Sequence, residues 1–160
     1  MQTAALALWA GLLLLCHAVW GWVPILDSAN LAFHEGGHPI FGLLSSRLAV
    51  YGGTLMQLLV PAACAFEMQR QGKPAARAFC VIWFAESLLN VARYLADARA
   101  QELPLVGALD PADAHDWAII LGRFGLQAWD RALANVVRAA AVATMAWAVW
   151  RSRAATRQQA

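Results

Sequence analysis

With 61% hydrophobic and 14% charged residues in a length of 160, the chain is too apolar for an ordinary soluble domain, whose charged share is about 25%. Its formal net charge of +2 rests on arginines scattered along the sequence, which sets aside nucleic acid as a partner. A mean hydropathy of +0.50 predicts a polytopic membrane protein, and 160 residues allow one integral membrane domain, 1–160, of about four or five segments at roughly 20 apolar residues each.

Thr3 to Val23 is almost continuously apolar and ends in Trp20 and Trp22, as a retained helix with an aromatic interfacial end would. A cleaved signal peptide would carry Lys or Arg before the apolar run and small residues after it, and neither is present. Pro24 breaks this helix, and Asp27 or Ser28 is placed to cap the next.

The apolar segment Leu31 to Leu44 contains Phe33-His34-Glu35-Gly36-Gly37-His38-Pro39, an HExxH pattern. Residues four apart share a helix face, so His34 and His38 can offer imidazole nitrogens to one metal ion, with Glu35 beside them as general base. Polar residues inside an apolar span are costly unless they pair or function, which favours a site over coincidence. Gly36 and Gly37 leave room for another backbone, and Pro39 deprives the carbonyl of Glu35 of its helical donor and should kink the helix.

Tyr51-Gly52-Gly53 is expected to turn into the next helix, Gly53 to Phe66, where Gln57 and Pro61 make a polar kink facing the bundle. Arg70, Lys73 and Arg77 form a basic loop, and Arg151, Arg153 and Arg157 crowd the C-terminus. The positive-inside rule places both in the cytoplasm. The segment with the motif must then be re-entrant or interfacial if the N-terminus is cytoplasmic too, which gathers His34, Asp97 and His115 near the outer face.

From Ala78 to Ala98, Glu86, Asn90, Arg93 and Asp97 form one polar stripe on an apolar span, which must face protein or water. Leu126 to Trp150 carries Arg131, Asn135 and Arg138 at matching spacing, and pairing of Glu86 or Asp97 with Arg138 is the structural alternative to a functional stripe. Asp110-Pro111 has the form of an N-cap and first helical residue, opening a short helix that presents His115-Asp116-Trp117. The third metal ligand is either Asp97 or His115, with Asp116 orienting a ligating imidazole. Glu86, Asn90, Arg93 and Arg138 complete the candidate pocket. Cys16, Cys64 and Cys80 each lie in an apolar run and read as small core residues, without metal-ligand spacing.

Phe33 to His38 resembles the HExGH signature of the membrane-embedded zinc metalloproteases of the site-2 protease type, with Gly37 at the motif's glycine. It is also similar to the motif helix of small bacterial membrane proteins that carry HExGH. The first resemblance spans residues 31 to 97 and implies a zinc ion held by both histidines and by an aspartate two helices later, which in this order is Asp97. The family's Pro and Gly beside that aspartate are not matched, and Asn90 stands one residue nearer Asp97 than the family spacing. Together the readings describe an all-α polytopic membrane bundle of about four transmembrane helices plus a re-entrant or interfacial HExxH helix. The implied activity is zinc-dependent hydrolysis of a peptide bond within or beside the bacterial inner membrane, with membrane lipid and a membrane-protein or peptide substrate as partners. A zinc-dependent lipid amidase and a catalytically silent zinc-binding protein are the alternatives.

Overall fold

A computed structural model describes residues 2–104 and 115–157, with side chains described through residue 154. The expected helix opening at Asp110-Pro111 lies outside the described residues. In chain order the helices are α1 (Gln2–Val19), α2 (Leu26–Leu44), α3 (Ser46–Arg70), α4 (Pro74–Ala96), α5 (Asp116–Phe124) and α6 (Asp130–Arg157), with a short 3-10 turn at Gln127–Trp129 before α6. All regular structure among the described residues is helical. Four stretches, α1, α3, α4 and Gln127–Ala154, are long and apolar enough to cross a membrane, so the chain is an integral membrane helical bundle.

Helix α4 is the hub. Half of its apolar window is buried, more than in any of the other three spans. One side of it packs Ala78, Ile82, Ala85 and Leu89 against Leu6, Ala10 and Leu13 of α1 and Ala141, Met145 and Ala148 of α6. A second cluster of Ala92, Leu95 and Ala98 meets Leu121 of α5 and Ala134 of α6. The small residues let backbones approach, which is how helices associate where lipid removes the hydrophobic driving force. The outward surfaces stay apolar, as with Leu8, Leu15, Leu59, Phe66, Val136 and Trp150, all exposed.

Pairwise contacts set the directions. Trp9 stacks on Phe79 at 5.7 Å and His17 meets Glu86, so α1 runs parallel to α4. Only residues 71–73 join α3 to α4 and Gln57 bonds Asn90 farther along, so α3 runs antiparallel to it. Arg99 forks onto Asp130 with two 2.8 Å bonds while Arg77 lies over the Trp147 ring, so α6 is antiparallel as well. The exposed Arg99 guanidinium is held above its usual pKa chiefly by its hydrogen bonds to Asp130. The basic loop 70–77 and the C-terminal arginines accordingly share one end of the bundle, as the expected topology requires.

Helix α2 differs from the four spans. Gly21 packs beside Arg93, whereas Asn30 bonds Glu86 and His34 stacks edge-on against Tyr94. The chain therefore dips from the level of Arg93 to that of Glu86 and climbs back along α2, the path of a re-entrant segment. Gly21 (φ 65°) and Ile25 (φ 70°) make the reversal with left-handed backbone, costly for a β-branched side chain, and Asp27 Oδ2 accepts from the Val23 amide at 2.6 Å across it. Asp27 thus braces the turn rather than acting as the helix N-cap, and α2 starts at Leu26, ahead of both expected caps, Asp27 and Ser28. Pro39 and Pro61 lie inside α2 and α3 without ending them.

The turn expected at Tyr51-Gly52-Gly53 is instead the interior of α3, which begins at Ser46. Its glycines serve a helix crossing: a Cβ on Gly37 would collide with the Gly52 carbonyl, and one on Gly52 with the Gly37 carbonyl. Gly36 meets nothing within 4 Å, so only one of the motif's glycines serves close approach. Gly37→Ala is expected to destabilise the bundle by about 1–3 kcal/mol or more through overpacking, while Gly36→Ala changes little. Thermal unfolding of both variants in detergent checks the contrast.

Candidate metal centre

The motif histidines project from one face of α2 toward the start of α5. His34 is buried at 7% exposure, and its ring lies 4.9 Å from that of His38. His38 Nδ1 is 2.9 Å from the carbonyl of Ala49. A carbonyl only accepts, so this nitrogen carries the proton, which leaves Nε2 as the free end. His34 Nδ1 lies 3.3 Å from Gln57 Oε1, and Gln57 Nε2 in turn donates to Asn90 Oδ1 at 3.2 Å. Both Nε2 atoms then face the carboxylate of Asp116, at 2.9 Å from His34 and 3.5 Å from His38.

Each imidazole turns Nδ1 to an amide-type carbonyl oxygen, and both Nε2 atoms lie beside one Asp116 oxygen. A cation between the two nitrogens and the oxygen satisfies the same geometry. Zinc bonds of about 2.0 to 2.1 Å in a tetrahedral site put donor atoms roughly 3.3 Å apart, and the two observed separations bracket that value. Glu35 offers a carboxylate oxygen within 4.8 Å of ligand atoms of both histidines. Outer partners of the kind that orient metal-bound imidazoles are present in Ala49 and Gln57. His34, Glu35 and His38 form a group that could hold a metal ion, and Asp116 lies against the same two imidazoles.

Asp116 reaches this position through a buried frame. Its amide donates to the Tyr94 hydroxyl at 3.1 Å, and His115 caps α5 by accepting from the Ala118 amide through Nδ1 at 3.3 Å. The His115 ring lies 4.2 Å from the Tyr94 ring, and its Nε2 is 3.4 Å from Asp97 Oδ2. Burial pushes the His115 imidazole below its ordinary pKa, with the Asp97 carboxylate pulling the other way. Asp97 itself accepts from the amides of Glu102 and Leu103. The structure thus engages Asp97 and His115 with each other and with backbone, and brings Asp116 to the two histidines.

The polar stripe of α4 divides among several tasks. Asn90 and Arg93 line a cavity of about 320 Å³ together with His34, Glu35, Gln57 and Tyr94. Trp22, Leu31, Leu103 and Pro104 supply its apolar wall. Glu86 is turned away from this cavity toward His17 and Asn30. Arg138 bonds Asn135 on its own helix, so the expected pairing with Glu86 or Asp97 is replaced by a local contact. The three cysteines are free.

Comparisons with protein-family models, curated proteins and solved structures return no match. The functional reading of this chain therefore rests on its own residues.

Sequence reasoning passed over Gly53 and Tyr94 as site residues. A Cβ on Gly53 would lie 2.5 Å from His34 Nε2 and 2.7 Å from two carbons of the same ring, so this glycine is the slot that admits the imidazole. The available signal was position: Gly53 lies four residues before Gln57, on the same face of α3. Gly53→Ala is expected to tilt His34 off its partners and weaken zinc binding by about 10- to 100-fold, the usual cost of disturbing a ligand's orientation. Competition with a zinc-binding dye measures it, with Gly11→Ala as a control, since a Cβ there would meet nothing within 4 Å.

Proposed function

We propose that the chain is an intramembrane zinc metallopeptidase, with His34, His38 and Asp116 as the protein ligands and Glu35 as general base. The observation that carries this reading is the convergence of both Nε2 atoms on one Asp116 oxygen, with His34 and Glu35 lining one cavity. When bound, the ion supplies a Lewis acid that polarises a carbonyl and acidifies a water. Glu35 accepts the proton of the attacking water and returns it to the departing amine. Gln57 and the Ala49 carbonyl hold the imidazoles by their Nδ1 atoms, keeping Nε2 aimed inward. Asn90 steadies Gln57, and Tyr94 fixes the backbone of Asp116.

The peptidase reading is preferred to a lipid amidase because the cavity sets the hydrogen-bonding side chains of Gln57, Asn90 and Arg93 beside Glu35, a lining that suits an extended peptide and its carbonyls. Localisation in a bacterial inner membrane belongs to the same proposal and rests on the resemblance alone, while a cytoplasmic C-terminus is supported by the arginines that crowd it. The test is hydrolysis by purified protein in proteoliposomes, offered an unstructured transmembrane peptide and, separately, an amide-linked lipid. Peptide cleavage that a zinc chelator stops and added zinc restores is the expected result. Cleavage of the lipid alone transfers the site to the amidase class, and cleavage of neither leaves a zinc-binding protein without this activity.

A further inference from the structure

A second group of ligand-type side chains lies deeper in the bundle. His17 of α1, Asp27 of α2 and Glu86 of α4 each present a donor atom, and these atoms lie within 4.8 Å of one another. Asp27 and Glu86 are both 0% exposed, and the His17 side chain is 11% exposed. Glu86 Oε1 is 3.1 Å from His17 Nε2, and its Oε2 accepts from Asn30 Nδ2 at 2.7 Å. Asn30 is fixed in turn by Trp83 Nε1 at 2.9 Å and Ser87 Oγ at 3.3 Å, both donating to its Oδ1. Asp27 Oδ2 takes the Val23 amide, which leaves Asp27 Oδ1 buried with no hydrogen-bond partner.

Two carboxylates and one imidazole are gathered in an apolar interior, where such groups are costly unless they pair or bind, and among the described residues no Lys or Arg forms an ion pair with either carboxylate. The unsatisfied Asp27 oxygen marks where a positive ligand is wanted. We propose that His17, Asp27 and Glu86 form a second divalent-cation site, separate from the centre at His34, His38 and Asp116. One imidazole nitrogen and two carboxylate oxygens suit a borderline ion such as Zn²⁺ or Mn²⁺. The donors come from three helices, one of them the buried first turn of the re-entrant segment. A cation there pins the start of α2 against α1 and α4, and so sets the depth at which His34 is presented.

This second site stands whether or not the first is a peptidase. The test is metal stoichiometry of the full chain in detergent after dialysis against Zn²⁺, with Mn²⁺ as a second probe followed by paramagnetic resonance. Wild type is expected to hold two equivalents of zinc. E86Q and H17A are each expected to lose one and keep the other, and H34A/H38A is expected to keep the equivalent that E86Q loses. The equivalent retained in E86Q and H17A reports that the bundle is still folded. The proposal is overturned if E86Q and H17A bind as much zinc as wild type, or if wild type holds a single equivalent that H34A/H38A abolishes. It is overturned equally if E86Q and H17A each lose both, because the cluster is then only a structural tie.

Discussion

Glu35→Gln is expected to slow hydrolysis by about 10²- to 10⁴-fold while the zinc content stays at the wild-type level. The substitution keeps the shape and removes the base, because an amide oxygen is far too weakly basic to take a proton from the attacking water. The metal is retained because the motif assigns the neighbouring histidines, not Glu35, to the ion. Zinc content and turnover measured on the same preparation separate an enzyme from a structural zinc protein. An E35Q variant as active as wild type would remove Glu35 from the chemistry.

The second large effect concerns the carboxylate. Asp116→Ala removes the oxygen that lies 2.9 Å from His34 Nε2 and 3.5 Å from His38 Nε2, and leaves the first centre with two imidazoles. Zinc affinity there is expected to fall by about 100-fold or more, beyond the 10- to 100-fold typical of an outer partner. Asp97→Ala acts differently. It frees the Glu102 and Leu103 amides and unpairs His115, so the loop beside the cavity loosens and thermal stability falls, with affinity lowered by about tenfold or less. Dye competition and unfolding midpoints on the two variants read the contrast, and the opposite ranking of affinities would return the ligand role to Asp97.

Much of the fold was legible because membrane spans are long and their hydropathy is local. The four spanning stretches, the motif helix and the polar stripe of α4 all follow from windows of about 20 residues. The topological argument for a re-entrant motif segment needed a cytoplasmic N-terminus as well as the basic loops, and the contacts of Gly21, Asn30 and His34 show the chain doubling back beside α4. Helix boundaries were less legible. Gly52 and Gly53 look like a turn in sequence, whereas in a membrane bundle glycine inside a helix is a packing device, here for Gly37 and His34.

At the site, the HExxH spacing placed His34, His38 and Glu35, since helical geometry connects them without reference to any other segment. The choice among Asp97, His115 and Asp116 is between the end of α4 and the start of α5, which no single helical period relates to the motif. His115 and Asp116 are adjacent, and only the capping of α5 by His115 decides which of them turns toward α2. The convergence of His17, Asp27 and Glu86 needs three helices in register, which no single stretch of sequence encodes.

The central claim is that one ion is held by both motif histidines, and zinc stoichiometry of the His34→Ala/His38→Ala variant tests it most directly. Wild type and variant are purified in the same detergent, equilibrated with the same free zinc, and compared by elemental analysis per mole of folded chain. The account predicts one equivalent fewer in the variant. A variant that binds as much zinc as wild type contradicts it.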